Sequence, residues 1–229
     1  MKKVLVIGCN GGIGKAICFS ISKAGYFIIG ADKDASEEQT PINEFYPVDL
    51  ISAEKVSELC KLLKSKGELW GIVFAAGIYP VRKFEDYSLE LWDEVMNVNL
   101  KSSFLIAQSL QNQITEGGRM IFISSGASYL GSKDIGYSVS KAGILGLTNG
   151  LAKIFRDKIL VNTICPGVIE SKMSAQMDES RKESTIQETL LKRIGQPEEI
   201  SSAIVFLLSP ENSYMTGSTI DINGGLYSR

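Results

Sequence analysis

The chain has 229 residues, 24 Lys and Arg against 26 Asp and Glu, and no histidine. A net charge of -2 offers no electrostatic footprint for nucleic acid or for an anionic membrane surface. The missing imidazole excludes His-based triads, His-ligated metals and histidine general bases, so acid–base chemistry falls to Tyr, Lys, Asp, Glu or Cys and no metal site is expected.

That length suits one large domain with an ample core, over residues 1–229. No apolar run approaches membrane-spanning length. Only Val4 to Ile7 separate Met1-Lys-Lys from the first glycines, which is too short for a signal-peptide core, so a cytoplasmic protein is expected. Cys9, Cys18, Cys60 and Cys165 are scattered, with no Cys-x-x-Cys spacing, and read as reduced thiols.

In chain order, residues 4–7 form a short apolar run ending in glycines, as a buried parallel strand does. Ile13, Ile17 and Ile21, with Ala16 and Ala24, then give a helical pattern stopped by Gly25. Residues 26–30 are the next strand, leading to Asp32. Residues 45–48 suit a third, which Pro47 restricts to a sheet edge. A helix over 53–64, a strand over 71–75, a long helix over 91–111 and a strand over 120–123 follow. The helix that carries Tyr137 comes next, then a strand over 159–164, a helix over 198–208 and a last strand over 218–222. This alternation predicts an α/β fold, a parallel sheet with helices on both faces. Residues 171–188 are polar and weakly periodic, and predict a substrate lid around 171–190.

The turn Gly8-x-x-x-Gly12-x-Gly14 lies between a strand and a helix, where bare backbone can approach a pyrophosphate and the helix N-terminus stabilises its charge. Asp32 ends the second strand, 24 residues beyond Gly8. A carboxylate there can bind adenosine ribose hydroxyls and repel a 2′-phosphate, which favours NAD over NADP; Lys33 is the contrary signal. Asp49, ending the third strand, could meet an adenine amino group or cap the following helix.

Tyr137 and Lys141, four apart on a helix, share a face. An ammonium beside a phenol favours the phenolate, bringing the tyrosine toward a pKa useful in proton transfer. Ser125 lies twelve residues upstream of Tyr137.

Taken together, the chain resembles a short-chain dehydrogenase/reductase along its whole length. Gly8, Gly12 and Gly14 match the family's glycine turn, with Ile7 and Gly11 in place of its usual Thr and Ser. Asn99, Ser125, Tyr137 and Lys141 match the catalytic tetrad. Residues 166–171 match the Pro-Gly-x-x-x-Thr segment, with Ser171 for Thr. Arg193, Gly195 and Pro197, then Gly217 and Asn223-Gly224-Gly225, match the C-terminal signature. The resemblance implies a Rossmann-type doubly wound sheet of seven parallel strands in order 3-2-1-4-5-6-7. It implies cofactor contacts from Gly8, Asn10, Gly12, Ile13, Gly14, Asp32, Asp49, Leu50, Ala76, Gly77, Tyr137, Lys141, Pro166, Gly167, Ile169 and Ser171. Tyr137 would exchange a proton with the substrate oxygen as hydride moves to or from nicotinamide, Ser125 would bind that oxygen, Lys141 would lower the phenol pKa and hold the ribose, and Asn99 would hold a relay water.

Two departures from the pattern matter. The family's Asn-Asn-Ala-Gly reads Phe74-Ala75-Ala76-Gly77, so packing must replace polar bracing of the central sheet. The family's usual serine–tyrosine spacing of thirteen selects Ser124, whereas alignment of the strand end selects Ser125. Cys9 reads as a small filler of the turn. Gly143, Gly146 and Gly150 imply close backbone approach to the sheet or to another subunit, and the family suggests a homo-oligomer, tetramer or dimer. Met173 and Met177 could pad a substrate or anchor the lid, and Tyr79, Tyr129, Ile169 and Met173 are candidate pocket residues for a partly apolar alcohol or ketone. The rival activity is 3-oxoacyl-carrier-protein reductase using NADPH, which the C-terminal half also resembles. A non-catalytic NAD-binding regulator or scaffold is the reading from another class, and the intact Ser-Tyr-Lys set argues against it.

Overall fold

The computed structural model describes residues 1–34 and 40–228; residues 35–39 and 229, inside the expected 1–229 domain, lie outside them. Seven parallel strands form one sheet: β1 (Lys3–Ile7), β2 (Phe27–Asp32), β3 (Glu44–Pro47), β4 (Leu69–Phe74), β5 (Ile114–Ile123), β6 (Ile159–Pro166) and β7 (Thr219–Ile222). Their order is β3-β2-β1-β4-β5-β6-β7, as expected, and Pro47 lies on the edge strand, where its missing N–H costs no ladder bond.

The two faces of the sheet are sorted by strand alternation. Val4 and Val6 of β1 pack under helices α1 (Gly12–Lys23) and α8 (Pro197–Leu208), against Ile17, Ile21, Ile204 and Leu207. Leu5 and Ile7 face the other way, toward α2 (Ala53–Lys64), α4 (Ser102–Leu110) and α6 (Ile135–Phe155), through Leu63, Ile106, Leu110 and Ile144. Every residue from Val4 to Ile7 is at most 1 % exposed. A strand covered on both faces has no polar side, which is why the run reads as continuously apolar. Each such side chain contributes about 1.5–3 kcal/mol by leaving water. Phe74 replaces a polar brace as expected: its ring stacks on Phe122 of the neighbouring strand, centroids 4.4 Å apart and planes within 8°.

Three elements differ from expectation. The long helix expected over 91–111 is broken into α3 (Leu89–Met96), a π turn over Asn97–Lys101, and α4. A π turn inside a helix frequently marks a functional site, and this one carries Asn99. A short helix α5 (Ala127–Leu130) follows β5, where none was expected. The lid contains a helix, α7 (Glu179–Glu188), that buries no residue. Its sole apolar member is Ile186, so it has no apolar stripe to reveal it.

The order reverses direction between β1 and β4. Ligands of open α/β sheets bind at the carboxyl ends of strands at such a switch point.

Candidate active site

At the end of β1 the chain turns at Gly8 with φ +83, and a Cβ there would lie 2.5 Å from the backbone nitrogen of Ala76. Only glycine permits this turn and this approach. A Cβ on Gly14 would strike the Gly8 carbonyl oxygen, so α1 packs directly onto the turn. Gly12 faces Ser171, whose Cβ is 3.0 Å from where a Gly12 Cβ would sit. The helix starts at Gly12 behind Gly11, which offers no capping side chain, and its first turn holds no acidic residue. The first N–H groups of α1 are therefore left to an anion.

Asp32 closes the other side of this cleft. Its Oδ2 accepts the Asn10 N–H at 2.9 Å and its Oδ1 the Lys33 N–H at 2.7 Å, so backbone holds the carboxylate at the end of β2. The Asn10 side-chain amide donates to the Asp34 carbonyl. Asn10, Asp32, Asp49, Leu50, Ala76 and Gly77 all line a cleft of about 620 Å³. Asp49 does not cap α2: Ser52 does, accepting the Lys55 N–H at 3.2 Å, while Asp49 turns its own loop by accepting the Ile51 N–H at 3.1 Å. The helix starts at Ala53, too far along the chain for Asp49 to stand in its cap position. Lys15, Lys33 and Lys172 also line this cleft. Lys15 and Lys172 went unanticipated because they lie outside the glycine turn.

The second cleft, about 290 Å³, holds Ser125, Tyr137 and Lys141. Helix α6 presents the last two, and its start is fixed by the fully buried Asp134. Asp134 Oδ1 accepts the Tyr137 N–H at 2.9 Å and the Tyr87 hydroxyl at 2.8 Å, and Oδ2 accepts the Arg82 N–H at 3.2 Å. One turn on, Lys141 is buried and its Nζ donates to the Ile123 carbonyl at 2.9 Å. Burial lowers the Lys141 pKa to about 8. Burial also pushes the Tyr137 phenol up to about 12, against a hydrogen bond from Ser125 that pulls it back down. The expected depression of the phenol by Lys141 is thus not found. The ammonium is directed at the end of β5 and lies 5.7 Å from the Tyr137 ring centroid, so desolvation prevails.

The two serines are separated by where their hydroxyls go. Ser124 is buried and donates to the Lys141 carbonyl at 2.7 Å. Ser125 accepts the Ala127 N–H at 3.2 Å and is the neighbour that lowers the phenol pKa. Asn99 is 1 % exposed. Its Oδ1 accepts the Ile78 N–H at 2.8 Å, and its Nδ2 donates to the Ile78 carbonyl and to Ser140 Oγ, each at 3.0 Å. Its side chain therefore ties the loop after β4 to α6, beneath the cleft.

Ile13, Pro166, Gly167, Ile169, Ser171, Met173 and Met177 line this second cleft, and Ala75 and Gly77 line both clefts, joining them. The C-terminal signature braces the 166–171 segment from outside: Gly195 donates to the Val168 carbonyl and accepts the Glu170 N–H, both at 2.9 Å, while Arg193 forks onto Glu199 at 2.8 and 2.7 Å. Tyr79 lines the cleft, with its ring 4.7 Å from that of Tyr137. Tyr129 does not; it packs on Tyr227, centroids 5.8 Å apart. Arg181, Thr185 and Glu188 were not anticipated. They line the cleft from one face of α7, and their i, i+4, i+7 spacing after Asp178 was the available signal. Gly143 packs on Leu100, whose Cδ2 would be 2.6 Å from a Cβ, whereas Gly146 and Gly150 face open space.

Comparison with known proteins agrees with this arrangement. The family model described as enoyl-(acyl carrier protein) reductase matches residues 8–227. An acetoacetyl-CoA reductase from Acinetobacter sp. is 34% identical over 99% of this chain and 98% of its own length. A 3-oxoacyl-[acyl-carrier-protein] reductase from Aquifex aeolicus is 33% identical over 99% and 97%. A short-chain dehydrogenase/reductase (glucose/ribitol dehydrogenase) from Brucella melitensis superposes with a TM-score of 0.92 at 30% identity, covering 100% of this chain and 97% of that one. The chain belongs to the short-chain dehydrogenase/reductase family, NAD(P)-dependent oxidoreductases of alcohol and keto groups.

Proposed function

We propose that this oxidoreductase moves hydride between NAD and a secondary alcohol or ketone, with Tyr137 as its acid–base group. The observation that carries the reading is the convergence of Ser125, Tyr137 and Lys141 in a cleft that continues, past Gly77, into the one closed by Asp32. A dinucleotide fits the residues present, since the Gly8 turn admits no side chain and the start of α1 is uncapped. Gly8, Asn10, Gly12, Ile13 and Gly14 would hold its pyrophosphate, and Asp32, Asp49 and Leu50 its adenosine. Ala76, Gly77, Tyr137, Lys141, Pro166, Gly167, Ile169 and Ser171 would hold the nicotinamide half. When bound, the nicotinamide donates or accepts the hydride.

In reduction, a ketone oxygen seated against Ser125 and Tyr137 gains negative charge as hydride arrives. The Ser125 hydroxyl stabilises that charge by donating to it. Tyr137, protonated throughout the neutral range, passes its proton to the oxygen. Lys141, still a cation below about pH 8, offsets the charge left on the phenolate and feeds a proton back. Asn99 would steady the path by which that proton returns from solvent.

Asp32 supports NAD, because its fixed carboxylate would meet a 2′-phosphate with like charge. The second reading is a 3-oxoacyl-carrier-protein reductase using NADPH, favoured by the names of the relatives and by the lysines that line the adenosine cleft. We read 1–229 as one domain with a lid over 171–190, because strands from both ends of the chain share one sheet. Among the described residues no helix is long and apolar enough to cross a membrane, and the four cysteines are free and buried, which supports the cytoplasm. A homo-oligomer, tetramer or dimer, built on α6 is supported by open Gly146 and Gly150 beside exposed Val139 and Ile154. Nucleotide-fluorescence titration with NADH and NADPH, followed by a secondary-alcohol and ketone screen with both cofactors, tests the reading. Tighter NADH binding with turnover of simple ketones supports it, and turnover confined to 3-oxoacyl thioesters with NADPH selects the second reading.

A further inference from the structure

Resting on that catalytic reading, we propose that Arg181 on the lid selects substrates whose keto or hydroxyl group is followed, within a few bonds, by a carboxylate. Among the described residues, three ionisable charged side chains line the catalytic cleft besides its tyrosines: Lys141, Arg181 and Glu188. Lys141 is buried beneath the floor and its Nζ is committed to the Ile123 carbonyl. Arg181 is the cation of the roof. Its Nη2 donates to the Tyr79 hydroxyl at 3.0 Å, with the guanidinium carbon 5.9 Å from the Tyr79 ring centroid. The Tyr79 ring in turn lies 4.7 Å from that of Tyr137. The guanidinium therefore stands one aromatic ring away from the phenol that would face the reacting oxygen.

No carboxylate among the described residues pairs with this guanidinium: the Asp178 side chain accepts the Arg181 backbone N–H at 2.8 Å, and Glu188 accepts from Ser184 at 2.9 Å. A guanidinium has five donors, and one Tyr79 oxygen occupies one of them. The remaining fork matches a planar carboxylate in bidentate fashion, which a neutral ester or amide cannot reproduce at equal strength. Glu188 bounds the size of the anion. It lies seven residues further along the same face of α7, about 10 Å along the helix axis, so a second carboxylate beyond the first would be repelled. The pocket thus suits a short monocarboxylate, with Met173 and Met177 against its carbon chain.

The test uses the cofactor-loaded protein and three matched pairs: 2-oxobutanoate, 3-oxobutanoate and 4-oxopentanoate, each with its methyl ester. Affinity by calorimetry and kcat/KM are measured for the unmodified chain and for Arg181→Gln, Arg181→Lys and Tyr137→Phe. At the chain length that fits, the acid should be favoured over its ester by about 10- to 100-fold. Arg181→Gln should abolish that preference, costing the acid at least about tenfold more than the ester, and Arg181→Lys should keep part of it. Acid and ester treated alike at all three lengths would overturn the proposal. So would an equal loss on both in Arg181→Gln, which would make Arg181 only a staple of the lid to Tyr79. Failure of the catalytic reading looks different: Tyr137→Phe would keep its turnover while still binding acid more tightly than ester.

Discussion

The floor and the roof of the catalytic cleft are built by opposite means. On the floor, Tyr137 and Lys141 sit one turn apart on a 21-residue helix whose first turn is pinned by buried Asp134 and whose lysine is bonded to the end of a central strand. The roof is a helix that buries nothing and reaches the floor through the contact of Arg181 with Tyr79. Proton transfer tolerates little error in position, and the groups that would carry it stand on rigid, buried elements. Substrate choice tolerates replacement, and the side chains that would make it stand on a polar, loosely held segment. Family resemblance accordingly extends to the chemistry of the floor, while the substrate has to be read from the roof.

The largest way to break this contrast is Lys141→Met. It removes the cation beside the phenol and leaves the Ile123 carbonyl without its donor, so turnover should fall by about 10²–10⁴-fold. Cofactor affinity should weaken too, and stability should drop by about 1–3 kcal/mol. Steady-state kinetics, fluorescence titration and denaturant unfolding check the three effects separately. Ser125→Ala should cost turnover about 10²-fold, as loss of a donor to a developing oxyanion does. Ser124→Ala should leave turnover nearly intact and lose only about 0.5–1.5 kcal/mol of stability, for its bond to the Lys141 carbonyl; equal kinetic losses in the two variants would contradict the division between them. Asp32→Ala should move cofactor preference toward NADP by about tenfold, read as the ratio of the two dissociation constants. The mildest test is amide exchange: N–H groups of α7 should exchange well before those of α6, and equal protection would dissolve the distinction between roof and floor.

How much could be read in advance follows the same division. Residues 4–7 announced a buried strand because both faces of β1 are covered, and α2 was bounded correctly because its apolar side chains recur at helical spacing behind Ser52. The glycine turn was legible because a Cβ at Gly8 or Gly14 would strike backbone, so the residue type itself carries the geometry. Helix α7 was not legible from apolar periodicity, since a helix that buries nothing leaves no apolar stripe, and only its polar spacing after Asp178 marked it. Contacts between distant segments were equally out of reach. Arg181 meets Tyr79 across 102 residues, and Tyr129 turns from the cleft to pack on Tyr227. The direction of the Tyr137 shift was missed because spacing places a lysine near a phenol without revealing that the ammonium is bonded to the Ile123 carbonyl or how dry the site is.

Tyr137→Phe, followed by single-turnover ketone reduction with saturating NADH across pH 6–10, addresses the proton-transfer role most directly. In the unmodified chain the rate should hold at lower pH and fall above about pH 8, as Lys141 gives up its proton, since Tyr137 keeps its own until about pH 12. The variant, lacking one hydroxyl and keeping the ring, should still bind NADH, weaker by no more than about tenfold for the lost hydroxyl contact, and run about 10²–10⁴-fold slower at every pH. A variant that transfers hydride within about tenfold of the unmodified rate, with the fall above pH 8 intact, would show that the proton comes from a group other than Tyr137.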